Sequence, residues 1–257
     1  MGITRTIGSK LAPHAGDIAP GPVAEVVHQA LDRAIRGFGP LDGAREAADN
    51  ELEDQGGDVE KAIAKLISGH VRLSGVEGFA TNLGGLATAA VTVPANISGL
   101  ALLQCRMVGA IAHLRGHDLD DSRVRNAVLA TMMGKEAVTG LVKKGKLPGT
   151  PYQIATLPAS EVDARAAKAE TKLREEQPDD AQQEPDVPKS RRKARTQLDR
   201  VVGSQVAAGL IADVGGKRLA TFAGKRIPVV GGVIGAGSDA WNTRSVGHYA
   251  REQFRPV

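Results

Sequence analysis

Few residues in this chain have the types and spacing that chemistry needs. Near the C-terminus, Asp239, Asn242, Arg244 and His248 fall within a short stretch. A carboxylate, a cation and an imidazole at such spacing are parts of a general acid–base site, to which Asp118 adds a second carboxylate. Asp118, Asp239 and His248 are therefore the candidates for a hydrolase-like reaction, although an ion pair or a helix cap is the plainer use of the same residues. His113 and His117 stand at i, i+4 with Asp118, Asp120 and Asp121 just after, a spacing that can hold a metal on one helix face. No Glu follows His113, however, and Gly116 is placed to end the helix before His117. An exposed helix end is the expected reading, and neither metal nor cofactor is expected. The glycines Gly231, Gly232, Gly235 and Gly237 superficially resemble a phosphate-cradling loop but lack the G-x-x-x-x-G-K-[ST] order. Close helix–helix approach explains them better. Arg106 ends a long uncharged run and is either a charge snorkelling at a helix boundary or a buried, ligand-facing cation.

Composition removes other chemistries. The single cysteine, Cys105, excludes an intramolecular disulfide framework and a cysteine-rich zinc site. Aromatic residues make up only 3% of the chain, too few for a base-stacking platform, which argues against nucleic acid as a partner. No nucleophile elbow or Walker motif is present. The net charge of +4 is unevenly spread. Basic clusters at 143–146, 189–195 and 217–226 can meet an anionic lipid surface, or serve simply as solvated faces. The second cluster holds Lys189, Arg191, Arg192 and Lys193 and would be the contact of a nucleic-acid-binding scaffold, the third reading. No apolar h-region opens the chain, so a cytoplasmic protein is expected, peripheral at the inner face of the cell membrane if it meets lipid.

These residues must be held by helices. Apolar residues recur at i, i+3, i+4 over 22–37, with Pro22 at the start and Gly37 at the stop. Residues 42–55 predict a short acidic helix, and a further helix starts at an Asp58 cap with Val59, Ile63, Leu66, Ile67 and Val71 inward. The uncharged run over 78–105 invites a membrane-spanning reading. Its strong apolar residues each contribute roughly −0.3 to −0.6 kcal/mol toward insertion, about −2 to −5 kcal/mol together, against Asn82, Asn96, Pro94 and several glycines. Two buried helices, 75–91 and 94–114, broken at Val93-Pro94, fit better, with a re-entrant or surface-inserted hairpin as the other alternative. One helix is expected from about Asp120 to Lys143, a loop over 146–157, and renewed order from Gln197. The stretch between is densely charged and proline-rich, a disordered insert preceded at most by a frayed helix over 160–174. A second uncharged run, 227–238, leads into an amphipathic helix through Val246, Tyr249, Ala250 and Phe254. The expected fold is all-α. It is a single multi-helix domain of Gly/Ala-rich apolar helices, with segments 1–20 (flexible), 21–157, 158–196 (the insert) and 197–257.

Two blocks together resemble the bacterial EcsC protein family. The first is Ala90-Val91-Thr92-Val93-Pro94, then Arg106-Met107-Val108-Gly109-Ala110-Ile111-Ala112 and Gly116-His117-Asp118. The second is Ile227-Pro228-Val229-Val230-Gly231-Gly232-Val233-Ile234-Gly235, followed by Asp239, Thr243, Val246, Gly247, Ala250 and Phe254. The likeness spans roughly 20–157 and 197–256. Thr92, Arg115, His117 and Asp239 depart from the family's usual Asp, aromatics and Asn. The resemblance implies a helical, cytosolic or membrane-associated protein, linked through the family's namesake to an ABC transporter and secretion operon. It implies no reaction. The reading that follows is a non-enzymatic helical protein associating with anionic lipid or a membrane complex. Its contact candidates are Pro94, Arg106, Pro228, Gly231 and Gly235, together with the basic insert.

Overall fold

The structure is a computed structural model that describes residues 20–37, 41–83, 89–176, 196–223 and 228–257; side chains are described outside 20–22, 75–98 and 211–239. The described residues form the helices α1 (Pro20–Arg36), α2 (Ala44–Asp54), α3 (Val59–Leu83), α4 (Ala89–Leu114), α5 (Ser122–Met132), α6 (Gly134–Lys143), α7 (Pro151–Thr156), α8 (Ala159–Glu175), α9 (Gln197–Ala223) and α10 (Pro228–Gln253), and no strand. The all-α expectation holds.

The N-terminal elements follow their local signals. In α1 the stripe Val27, Ala30, Leu31, Ala34 and Ile35 is buried, and the helix ends where Gly37 takes a left-handed φ of +88°. The acidic helix α2 keeps an alanine face, Ala44, Ala47 and Ala48, turned inward. Asp58 caps α3 by accepting from the Lys61 backbone N–H at 3.0 Å, and Ile63, Leu66 and Ile67 are buried below it.

Central in the bundle is α4, which contacts α1, α2, α3, α5 and α10. Its buried face, Met107, Val108, Ile111 and Ala112, meets Leu31, Ile63, Leu129 and Phe254 in one core. Small residues let the helices come close: a Cβ on Gly109 would lie 3.1 Å from the Ala44 Cβ of α2. The contact of α10 along α3 is tighter still. A Cβ on Gly247 would lie 2.9 Å from Ile67 Cγ1 and 3.2 Å from Met107 Sδ.

Four expectations are corrected. First, no break falls at Val93-Pro94. Helix α3 continues to Leu83, and α4 starts at Ala89 and runs through Pro94. Pro94 lies in the second turn of α4, where the missing N–H removes one hydrogen bond, and the packing of α4 on its neighbours outweighs that loss. Second, the helix expected over 120–143 is two helices, because Gly134 takes φ +78°. Third, the expected loop at 146–157 contains α7, whose first turn is closed by a reciprocal capping box between Thr150 and Gln153, with Pro151 following the cap. Fourth, the helix preceding the charged insert is not frayed: α8 buries Val162, Ala166 and Ala169 and lies against α9. Three residues at i, i+4, i+7 suffice to anchor an otherwise polar helix. Residues 177–195, the rest of the insert, lie outside the described residues.

The seating of α10 on α3 yields a signed prediction. Gly69 lies on α3, and a Cβ there would meet nothing within 4 Å. Gly69→Ala is expected to raise stability in urea unfolding by about 0.5–1 kcal/mol, the ordinary gain of alanine over glycine inside a helix. Gly247→Ala is expected to lower it by about 1–3 kcal/mol, since the new methyl would press on two branches of Ile67 and on Met107 Sδ at once. Equal shifts of the same sign would show that the contact is not tight.

Candidate functional site

The α3–α10 pair runs antiparallel. Glu60 near the start of α3 pairs with Arg251 near the end of α10 at 2.7 Å, and two turns on along α3, one turn back along α10, Ile67 meets Gly247. This register opens a groove of about 550 Å³ between the two helices. Its floor is aliphatic (Ala64, Ile67 and Val71), and its polar lining is Lys65, Ser68, Arg72, Arg244, His248 and Arg251, with no carboxylate among them. Arg251 is held by Glu60, which also pairs with Arg115 at 2.5 Å. Among the described residues, the side chains of Lys65, Arg72, Arg244 and His248 have no ion pair or hydrogen bond.

The groove lies partway along the helix pair. Trp241 is one turn before Arg244 on the same stripe of α10, and it is 73% exposed. Leu73, next after Arg72 on α3, is 48% exposed. Beyond these two, the antiparallel pairing carries the end of α3 and the start of α10 to the same end of the bundle. Those ends belong to the two uncharged runs, 78–105 and 227–238.

Arg106 does not stand at a helix boundary. It sits within α4, half-buried, and its Nε donates to the Asp42 carbonyl at 2.7 Å while Nη1 lies 3.1 Å from His70 Nε2. His70 is buried, with Nδ1 2.8 Å from the Leu66 carbonyl. A carbonyl only accepts and a guanidinium only donates, so His70 is the neutral Nδ1–H tautomer. Burial, reinforced by the Arg106 charge, pushes the His70 imidazole down to about 4, against the pull of the Leu66 carbonyl. Arg106 thus joins α4 to α3 and to the turn between α1 and α2.

The other candidates disperse. Asp118 is exposed, accepts from the Asp120 backbone N–H at 2.9 Å and lies 3.8 Å from Arg45. His248 lines the groove, and the two share no partner. The Asp239 side chain lies outside the described residues. The histidine pair diverges as well. His113 Nε2 meets Asp49 at 3.0 Å, whereas His117 Nε2 donates to the Arg255 carbonyl at 2.9 Å and its ring stands edge-on to Phe254. Gly116, at φ +86°, ends the helix as expected, but His117 is buried under the C-terminal segment and not solvent-exposed. Among the described residues no cluster of metal-ligating side chains forms. The Gly231–Gly235 stretch is part of α10 and not a loop; Pro94 and Pro228 also lie in helices, and Lys189, Arg191, Arg192 and Lys193 lie outside the described residues. The sequence reading missed Lys65, Arg72 and Arg251. Their signal was one-faced spacing, Lys65 with Arg72 on α3 and Arg244, His248 and Arg251 on α10.

The described residues thus form an all-helical bundle with a carboxylate-free groove between α3 and α10. The chain belongs to the EcsC protein family, whose family model matches residues 2–256 and so extends through the charged insert. No curated protein and no solved structure matches it.

The neutral His70 makes stability pH-dependent. Its folded value near 4 lies below the ordinary 6.5, so between those values the unfolded chain takes up a proton that the folded chain refuses. Its contribution is present above pH 6.5 and is lost as pH falls toward 4, by up to about 3 kcal/mol. His70→Gln, which does not titrate, is expected to narrow its stability gap to the parent as pH falls. Parallel urea-stability curves from pH 7 to pH 4.5 would contradict this assignment.

Proposed function

We propose that this EcsC-family protein is a non-enzymatic helical protein that associates peripherally with anionic membrane lipid through its α3–α10 face. The observation that carries the reading is the groove itself, where cations from two sequence-distant helices converge without a carboxylate. Cations concentrated in this way are a mutual repulsion that a folded protein tolerates when an anionic partner relieves it. Two features support a membrane as that partner. The uncharged ends of α3 and α10 lie at one end of the same helix pair, and no helix among the described residues is long and apolar enough to cross a bilayer. Lodging at the surface fits such elements better than spanning.

Each Lys or Arg near an anionic leaflet is worth about 1 kcal/mol, so Lys65, Arg72 and Arg244 supply about 3 kcal/mol. Binding of that size is reversible and screened by salt. Flotation with phosphatidylglycerol-containing vesicles is expected to carry the protein upward at low salt and to release it at high salt. Protein left wholly in the soluble fraction at low salt would end this reading.

A further inference from the structure

We infer that the α3–α10 groove is a built phosphate-ester site for a phospholipid headgroup, with Trp241 set as its interfacial anchor. This deepens the membrane reading above and rests on it.

Three observations separate a built site from a diffuse basic surface. The cations come from both walls: Lys65 and Arg72 from α3, Arg244 and His248 from α10. They line an open groove of about 550 Å³, roomy enough for a glycerophosphate group. The aliphatic floor, Ile67 and Val71, belongs to the helix pair whose spacing Gly247 sets, so the two walls are held at a fixed separation. Two guanidiniums on facing walls suit a phosphate oxygen pair, because each presents a planar fork of donors to it. Arg251 is committed to Glu60, which leaves Arg72 and Arg244 as the pair that can turn to a ligand.

The rim points to lipid as the source of the phosphate. A site for a free phosphate gains nothing from exposed apolar side chains beside it. Here Trp241, one of the few large apolar side chains left exposed among the described residues, stands one turn from Arg244 on the groove's stripe of α10, on the side of the uncharged helix ends. Tryptophan favours the headgroup level of a bilayer, where its ring meets apolar matter and its N–H stays wet. With Trp241 at that level, the groove one turn behind it faces the phosphate layer.

Trp241 is the only tryptophan of the chain, so its fluorescence reports on this rim alone. The test titrates the full chain with phosphatidylcholine vesicles doped with phosphatidylglycerol, and with vesicles given the same surface charge by oleate, which carries no phosphate. The expected result is a blue shift of Trp241 emission with tighter binding to the phosphatidylglycerol vesicles. Arg72→Gln/Arg244→Gln should weaken that binding at least tenfold and bring it down to the oleate level. Arg36→Gln/Lys168→Gln, the same charge change at exposed sites outside the groove, should have a much smaller effect. Equal losses for the two double variants, with the parent still binding, would overturn the groove assignment and leave the membrane reading intact. No binding of the parent to either vesicle would overturn both. A third arm titrates inorganic phosphate and glycerol phosphate. Saturable binding of these without vesicle binding would reassign the groove to a soluble phosphate and overturn the lipid source. Because the two arginines have no partner among the described residues, an unchanged melting temperature is expected to confirm that both double variants are folded.

Discussion

The close seating of α10 on α3 governs the rest of this molecule. Only a glycine at position 247 lets the two helices approach until Ile67 and Met107 close on the backbone. From that single contact follow the antiparallel register, the Glu60–Arg251 pair at one end and the meeting of the uncharged ends at the other. The groove follows too, since its two cationic walls are parts of the chain far apart in sequence. A protein with so few rings must gain core density by close helix approach instead of aromatic bulk, and its fully buried large side chains are almost all aliphatic or sulfur-bearing, with Phe254 the exception. The glycine excess, 31 residues, thus serves as a packing device at the positions where a Cβ would collide with a neighbouring helix.

The second fixed point is polar. Arg106 crosses from α4 to a neutral His70 on α3 and to the Asp42 carbonyl, so one guanidinium joins two helices and a turn. Burial draws both groups toward their uncharged forms, and at Arg106 the Asp42 charge opposes that pull. This explains why a charge at the end of the uncharged run is compatible with a packed interior. It also separates the two kinds of cation here. Arg106 is spent on architecture, whereas Arg72 and Arg244 are left at the surface without partners among the described residues.

Elements with a one-sided apolar stripe were legible from the sequence: α1, α2, the start of α3, and α9 from Gln197 all stand where their periodicity puts them. Boundaries set by a single residue were not. Pro94 reads as a break, yet packing carries α4 through it, and the capping box at Thr150 and Gln153 is a helix signal hidden among prolines. The alanines of α8 look too weak to anchor a helix until α9 lies against them. The family was legible because its two blocks are ordered motifs. The groove was only half legible. Arg244 and His248 stood out as a local cluster, but no local pattern announces that Lys65 and Arg72 lie opposite them, since that depends on the register fixed at Gly247.

The claim that the α3–α10 rim meets a bilayer is most directly measured by quenching of Trp241 emission in vesicles whose lipids carry a spin label either at the headgroup or deep along the acyl chain. The predicted result is quenching by headgroup labels that exceeds quenching by deep labels, placing the ring at the interface. Vesicle-bound protein whose Trp241 is quenched by neither would show that another face meets the membrane, and would contradict the claim.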